Sequence, residues 1–461
     1  MFTDRALSYV VVVIAIAAGV LGGMVSASRP LAAAIGALGL LLLLPLVASL
    51  RRSRRIEPLE PLWPFLICYG ITYAFKPMLD ARGGYTYDWF TFDTALATRA
   101  VVVAAAGLVA IYAGYFSGAY RVLLPVLPAT RREPTVARAR FAAFALAAGG
   151  VLAVLLMRAA ISDFTLAGAA SGAFRTRILQ AAYGRGYIVL LASLAAFAPP
   201  LQFAIALTTR RAVDWAMAAV ITGIAGVLLL ALYSRQLMLQ MIVMLLIVAY
   251  FKGRWLTRGG VVLAGAAILI LGGFLGLRLR ASDVGPLQAF AFLGHTFDSF
   301  EFLATALARV SPLGHFSGVS FVEDAVLTYL PRVWFPEKPE VYGIVRIQNF
   351  VQPSFSAWSV SAATFPPGFL VEGYANFGAA GIALISLCYG VLLRVAREWF
   401  WPRRDRLFPL LVYGGLVLNM TGVFRSAAQM AMQILVFGSI IYALLCARIP
   451  VRPRAPERLA A

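Results

Sequence analysis

The chain is a series of long apolar runs separated by short polar segments, most of them basic. Few folds accept that pattern. A helix of about 20 mostly apolar residues matches the hydrocarbon thickness of a bilayer. A backbone crossing lipid must also satisfy its own N–H and C=O groups, which a helix does unaided. Runs near 7–28, 30–50, 61–77, 99–118, 141–158, 187–207, 215–233, 237–251, 259–277, 376–393, 407–424 and 430–446 read as spans. The expectation is an all-α polytopic membrane protein with about 12 transmembrane helices. Charged residues make up only 13% of the chain, against about a quarter in soluble domains.

Cytoplasmic loops collect Lys and Arg. Arg51, Arg52, Arg54 and Arg55 follow the second run and place that end inside. Alternation then puts Arg131, Arg132, Arg138 and Arg140 inside. The same side takes Arg210 and Arg211, then Lys252, Arg254 and Arg258, then Arg403, Arg404 and Arg406, and finally Arg452, Arg454 and Arg458 in the tail. Every strongly basic short loop falls on one side, and both termini are expected in the cytoplasm. The net charge of +20 is then mostly a topology signal plus attraction to anionic headgroups. It does not argue for nucleic acid. The first run is long enough to remain as an anchor, so no cleaved signal peptide is expected.

Cys68, Cys388 and Cys446 lie within or at the ends of spans, which argues against a disulfide framework and a zinc site. No phosphate-binding G-x-x-x-x-G-K-[ST] loop occurs. The sequence divides into 1–277 (spans with short loops), 278–375 (a long outer loop) and 376–461 (three spans and a basic tail). Within the outer loop, Phe300–Leu307 and Phe321–Leu330 read as amphipathic or interfacial helices. Long ordered loops usually carry function, so substrate is expected on the outer side. Without a nucleotide domain, a pre-activated, lipid-linked substrate would supply the energy.

Outer-facing arginines are the main chemical signal. Arg235 sits in the tight turn Tyr233-Ser234-Arg235-Gln236, Arg278 and Arg280 close the ninth run, and Arg425 closes the eleventh. Arg175, Arg177 and Arg185 populate the loop after the fifth. A guanidinium stays charged and offers a fork of donors that fits phosphate oxygens. Several at one boundary suit a lipid diphosphate. The alternative is snorkelling to phospholipid headgroups. It fits Arg235 least, because a tight outer turn has little reason to carry Arg against the positive-inside bias.

Two further stretches stand out. Pro331-Arg332-Val333-Trp334-Phe335-Pro336-Glu337-Lys338-Pro339 is a proline-stiffened loop. It holds Arg332 and Lys338 beside Trp334 and Phe335, suited to a sugar and an anion or, equally, to an interfacial aromatic anchor. The run Phe365 to Gly381 contains Glu372, expected at the bilayer boundary. A partly desolvated carboxylate there could act as general base, or it could simply meet a helix dipole. Gly378 and Gly381 read as close-packing glycines. His295 is the next candidate base, and His315 a weaker one in a plain turn. Only Glu323 and Asp324 are adjacent acids, and no Asp-x-Asp pair occurs, so no divalent metal is expected. Arginines would then stabilise a leaving diphosphate.

The Ser-Arg turn at 234–235, the Pro-Arg-x-x-x-Pro-x-Lys-Pro segment at 331–339 and the Glu-x-Tyr-x-Asn-Phe-Gly-x-x-Gly run at 372–381 resemble bacterial O-antigen or oligosaccharide repeat-unit polymerases of the Wzy type, relatives of the O-antigen ligases. The motifs span about 215–385. An Arg, ten residues, Gly spacing known from some members recurs at Arg175–Gly186 and Arg332–Gly343. Chance alone would supply such matches in a chain this rich in Arg and Gly.

The resemblance implies a glycosyltransferase-C-like fold in the bacterial inner membrane, with its active site facing the periplasm. It implies metal-independent transfer of an undecaprenyl-diphosphate-linked glycan chain to the next lipid-linked repeat unit, without a cofactor. A chain-length regulator protein is the implied protein partner, and the phospholipid membrane the implied environment. On this expectation a hydroxyl of the incoming unit attacks the anomeric carbon, and Glu372 or His295 takes its proton. Arg235, Arg278, Arg280 and Arg425 hold the leaving diphosphate. Arg332, Lys338, Trp334, Tyr374 and Arg175 position the substrate. The competing expectations are an O-antigen ligase, with a lipid A–core acceptor, and a lipid-linked oligosaccharide flippase or other transporter. A transporter should show interrupted helices and charges at mid-membrane. The sequence shows charges away from span centres and only Pro199-Pro200 as a break.

Overall fold

The computed structural model describes residues 28–51, 57–81, 90–127, 133–161, 163–165, 186–231, 235–265, 267, 299–327, 330, 334–339, 342–353, 367–421 and 427–446. Among these residues all regular structure is helical. The helices are α1 (Arg29–Arg51), α2 (Leu62–Gly70), a π-helical turn (Ile71–Phe75), α3 (Lys76–Ala81), α4 (Thr94–Phe116), α5 (Val136–Ala160), α6 (Gly186–Ala195), α7 (Ala198–Thr209), α8 (Ala212–Ala231) and α9 (Arg235–Val248). Then follow α10 (Ser299–Arg309), α11 (Val319–Val326), α12 (Gly343–Val351), α13 (Phe369–Phe400), α14 (Leu407–Thr421) and α15 (Ala427–Leu445).

Among the described residues, six helical stretches are long and apolar enough to cross a membrane, and three shorter apolar helices accompany them. The chain is a helical membrane protein. The expected run at 7–28 lies outside the described residues, as does most of 259–277. The other expected runs each contain a helix.

Local chemistry sets the helix ends. Asp93 accepts from Ala95 N and Leu96 N at 2.7 and 3.2 Å and starts α4. Thr135 does the same for α5 through Arg138 N at 3.3 Å. The expected single run at 187–207 is two helices. The chain turns at Ala196–Phe197, and Pro199 and Pro200 occupy the first turn of α7, where a missing N–H costs nothing.

Two apolar cores result. One joins α1, α2, α4, α10, α12 and most of α13. The other joins α5 to α9 with α14, α15 and the end of α13. The tightest seam is between α4 and α13. A Cβ on Gly114 would lie 2.0 Å from Leu387 O, and one on Gly390 2.0 Å from Ile111 O. Small residues let the two backbones touch, which is how helices gain packing energy in lipid.

Polar contacts gather the basic loops at one end of the bundle. Tyr115 donates to Glu60 at 2.7 Å, and Arg397 reaches the same carboxylate. Tyr250 donates to Glu57 at 2.8 Å, and Arg258 pairs with it. Glu133 accepts from Leu407 N at 3.0 Å. Arg138 caps the last carbonyls of α15, at Ala443 and Leu444. Arg140 makes a fork with Asp214 at 2.9 and 2.8 Å. The segments whose arginines alternation assigns to one side therefore meet at one end.

The helices α10 and α11 overlap the two stretches expected to be amphipathic or interfacial. Protein covers the apolar face of Phe300–Leu307: Phe300, Phe302, Leu303 and Ala304 are fully buried in the first core, against α4 and α13. The helix α11 leaves Val319, Val322 and Val326 exposed.

Candidate functional site

The run that carries the resemblance is folded back on itself. Within α13, Phe377 (φ −136°, ψ 18°) and Gly378 (φ 62°, ψ −144°) leave the helical region. Phe369 and Tyr389 stack with centroids 5.2 Å apart. Twenty residues of straight helix would hold them about 30 Å apart. Residues 369–376 thus form a short arm running antiparallel to the long arm, 379–400. Phe369 also reaches Tyr69 (6.4 Å) and Phe65 (6.5 Å) on α2. The expected span at 376–393 is the long arm, and the short arm that folds in ahead of it lies in the stretch expected to be loop.

Glycine makes the reversal possible. Gly378 has a backbone conformation open mainly to glycine, and a Cβ there would lie 1.7 Å from Pro312 O. A Cβ on Gly381 would lie 2.0 Å from Gly373 O. The arm's orphan carbonyls are met by the loop 311–318. His315 N and Phe316 N donate to Ala375 O at 2.6 and 3.1 Å, and Ser317 N donates to Asn376 O at 3.1 Å. Asn376 completes the junction. Its Oδ1 accepts from Gly318 N at 2.9 Å, and its Nδ2 donates to Ser320 Oγ at 2.6 Å and Glu372 O at 2.8 Å.

Glu372 lies on this arm with no exposed surface. It therefore sits inside the bundle, beside the long arm and in the first turn of the short one. Tyr374 is buried as well, and its hydroxyl has no hydrogen-bond partner. His315 is exposed and stacks on Phe350 at 4.2 Å.

A second polar group is buried nearby in the same core, and the sequence reading did not single it out. Lys76 forms ion pairs with both Asp80 and Glu301. All three are essentially inaccessible: 1%, 3% and 0% exposed. The Tyr73 hydroxyl, on the π-helical turn just before Lys76, is buried without a partner. Such turns recur at functional sites. Burial pushes the Glu301 carboxyl up to about 8, against the pull of Lys76. The available signal was a lysine closing an apolar run with an acid four residues on. An ionisable residue in such a run is a functional candidate by default.

The remaining candidates scatter. Lys338 is buried, donates to Leu330 O at 3.2 Å and lies 4.6 Å over the Tyr342 ring. Trp334 is 72% exposed. Glu323 and Asp324 hold the start of α12, accepting from Gly343 N and Ile344 N at 2.7 and 2.9 Å. Gly343 itself has φ +58°, and a Cβ there would lie 2.0 Å from Asp324 Oδ1. That geometry explains the glycine without any pairing to Arg332. Arg235 is the first residue of α9, at the positive end of the helix dipole, where an anion would be favoured. Arg175, Arg278, Arg280, His295, Arg332 and Arg425 lie outside the described residues. Among the described residues no cluster of His, Cys, Asp or Glu could hold a metal ion. A cleft between α7, α14 and α15, lined by Phe197, Val412, Ile434 and Phe437, offers no charged group to a diphosphate.

No known protein family, curated protein or solved structure matches the chain.

Proposed function

We propose that the protein is a polymerase of a bacterial surface polysaccharide. It would transfer an undecaprenyl-diphosphate-linked glycan chain to a lipid-linked repeat unit on the periplasmic face of the inner membrane. One observation carries the reading. The Glu-x-Tyr-x-Asn-Phe-Gly-x-x-Gly run behind the resemblance forms the seam between the outer segment and the membrane helices, and it encloses a carboxylate there. A reaction at a lipid headgroup needs its acid–base group at such a seam. Glu372 would take the acceptor's proton, and Arg235, at the start of α9, would hold the diphosphate with the other outer arginines. O-antigen ligase chemistry would use the same donor, and the acceptor that supports product formation separates the two.

A second reading has specific support. An interrupted helix with buried charges beside it is the architecture of many transporters. The 377–378 break and the Lys76–Asp80–Glu301 cluster supply both features.

One experiment addresses both. The purified protein in proteoliposomes is given lipid-linked repeat units, with and without chelator. A product ladder that survives the chelator supports polymerisation. Movement of the lipid-linked glycan across the bilayer with no ladder supports transport. Arg235→Ala, at normal membrane levels, should shorten or abolish the polymer; full-length polymer would sink the diphosphate role.

A further inference from the structure

Lys76, Asp80 and Glu301 together carry one positive and two negative formal charges in a place with almost no solvent. An uncompensated buried charge costs several kcal/mol. The other charged groups on the elements around α10 do not offset it. Arg99 on α4 is exposed. Arg309 is bonded to Val351 O and Gln352, and Arg346 to Glu323. Arg394 and Arg397 pair with Glu60 and Glu398 at the basic end. Glu372, on the short arm, is a further acid and cannot help. Lys76 and Asp80 are the charges that act on the Glu301 carboxyl. One more monovalent cation would make the cluster neutral. A metal ion would have to sit against the Lys76 ammonium, which repels it; a proton would not. Glu301 Oε2 and Asp80 Oδ2 have no hydrogen-bond partner, so an oxygen is available on each carboxyl.

The cluster also joins two parts of the fold. Lys76 and Asp80 belong to α3, which continues the helical run of α2, whereas Glu301 belongs to the outer segment. Its helix α10 packs on α4, α12 and α13, and loop 311–318, which holds the arm of α13, follows directly.

We propose that Lys76, Asp80 and Glu301 form a proton-binding latch: with one proton shared by the two carboxyls the outer segment is seated on the membrane helices, and loss of that proton loosens it. The direction follows from linkage. A carboxyl held above its ordinary value of 4.5 binds its proton more tightly in the seated state. The stabilisation it gives is complete below that value and is lost as pH rises through about 8.

Hydrogen exchange of the full-length protein in lipid nanodiscs tests the latch. The readout is exchange of residues 299–309 relative to α5, which packs in the other core; the ratio removes the intrinsic effect of pH. In the wild type the ratio should rise several-fold from about pH 6 to about pH 9. In Glu301→Gln, which mimics the protonated form, it should stay flat. In Asp80→Asn, neutral without an added proton, any rise should begin at least about one pH unit lower. A flat wild-type profile overturns the latch. So does a Glu301→Gln profile that rises like the wild type, or, if that variant does not fold, an Asp80→Asn profile with the wild-type midpoint.

Discussion

Phe369 and Tyr389, twenty residues apart on α13, stack with their ring centroids 5.2 Å apart. The contact requires the chain to reverse at Phe377–Gly378. It places a short inward arm, in a stretch that reads as loop, ahead of the helix expected from residue 376. The arm carries Glu372 and Tyr374 into the core, and loop 311–318 closes over its end.

The reversal rests on Gly378. Gly378→Ala places a methyl against Pro312 O in a conformation that disfavours any side chain. The expected loss is about 2–6 kcal/mol, from backbone strain and overpacking together, read as a lower melting temperature in detergent. Gly223→Ala in α8 is the control. A Cβ there meets nothing within 4 Å, and helix propensity favours Ala by about 1 kcal/mol. Equal melting temperatures for the two variants would mean that the turn is not built as described.

Asn376 bonds three partners while almost wholly buried. Asn376→Leu strands Gly318 N and Ser320 Oγ and should cost about 2–4 kcal/mol. Asn376→Asp keeps the acceptor for Gly318 N and loses both donated bonds, so it should fall between Leu and wild type at neutral pH. A Leu variant that melts like the wild type would remove the junction's role.

Much of this architecture is legible in the sequence, and the illegible parts have physical reasons. The apolar helices and the basic end follow from apolar length and arginine placement, because both are local and set by the solvent. The fate of Phe300–Leu307 does not follow. An amphipathic pattern states that one face is apolar; it does not state whether lipid or protein covers that face. The fold-back at Gly378 is equally hidden, since glycine also serves straight helix packing. Lys76 and Glu301 are far apart in sequence, so only tertiary structure reveals that the lysine at the end of one run pairs with an acid on α10. Of the arginines that dominate the sequence reading, Arg235 alone falls within a described helix, at its first position.

The ion cluster should respond to charge balance more than to bulk. Lys76→Met alone leaves two buried carboxyls without their cation and should cost about 3–5 kcal/mol. Adding Asp80→Asn and Glu301→Gln removes the unpaired charges and should recover most of that loss. The melting temperatures of the single and triple variants decide. A triple variant as unstable as the single one would assign the effect to lost packing by the lysine stem.

Glu372 is where fold and proposed chemistry meet, so its test must separate them. Glu372→Gln preserves shape and hydrogen-bonding capacity at a buried site and removes the ability to accept a proton. If Glu372 is the general base, ladder formation should slow by about 100-fold or more, while the melting temperature stays within a few degrees of the wild type. If the carboxylate only holds the arm in place, the melting temperature should fall and the rate should fall with the amount of folded protein. Full ladder formation by a stable Glu372→Gln protein would exclude it as the base.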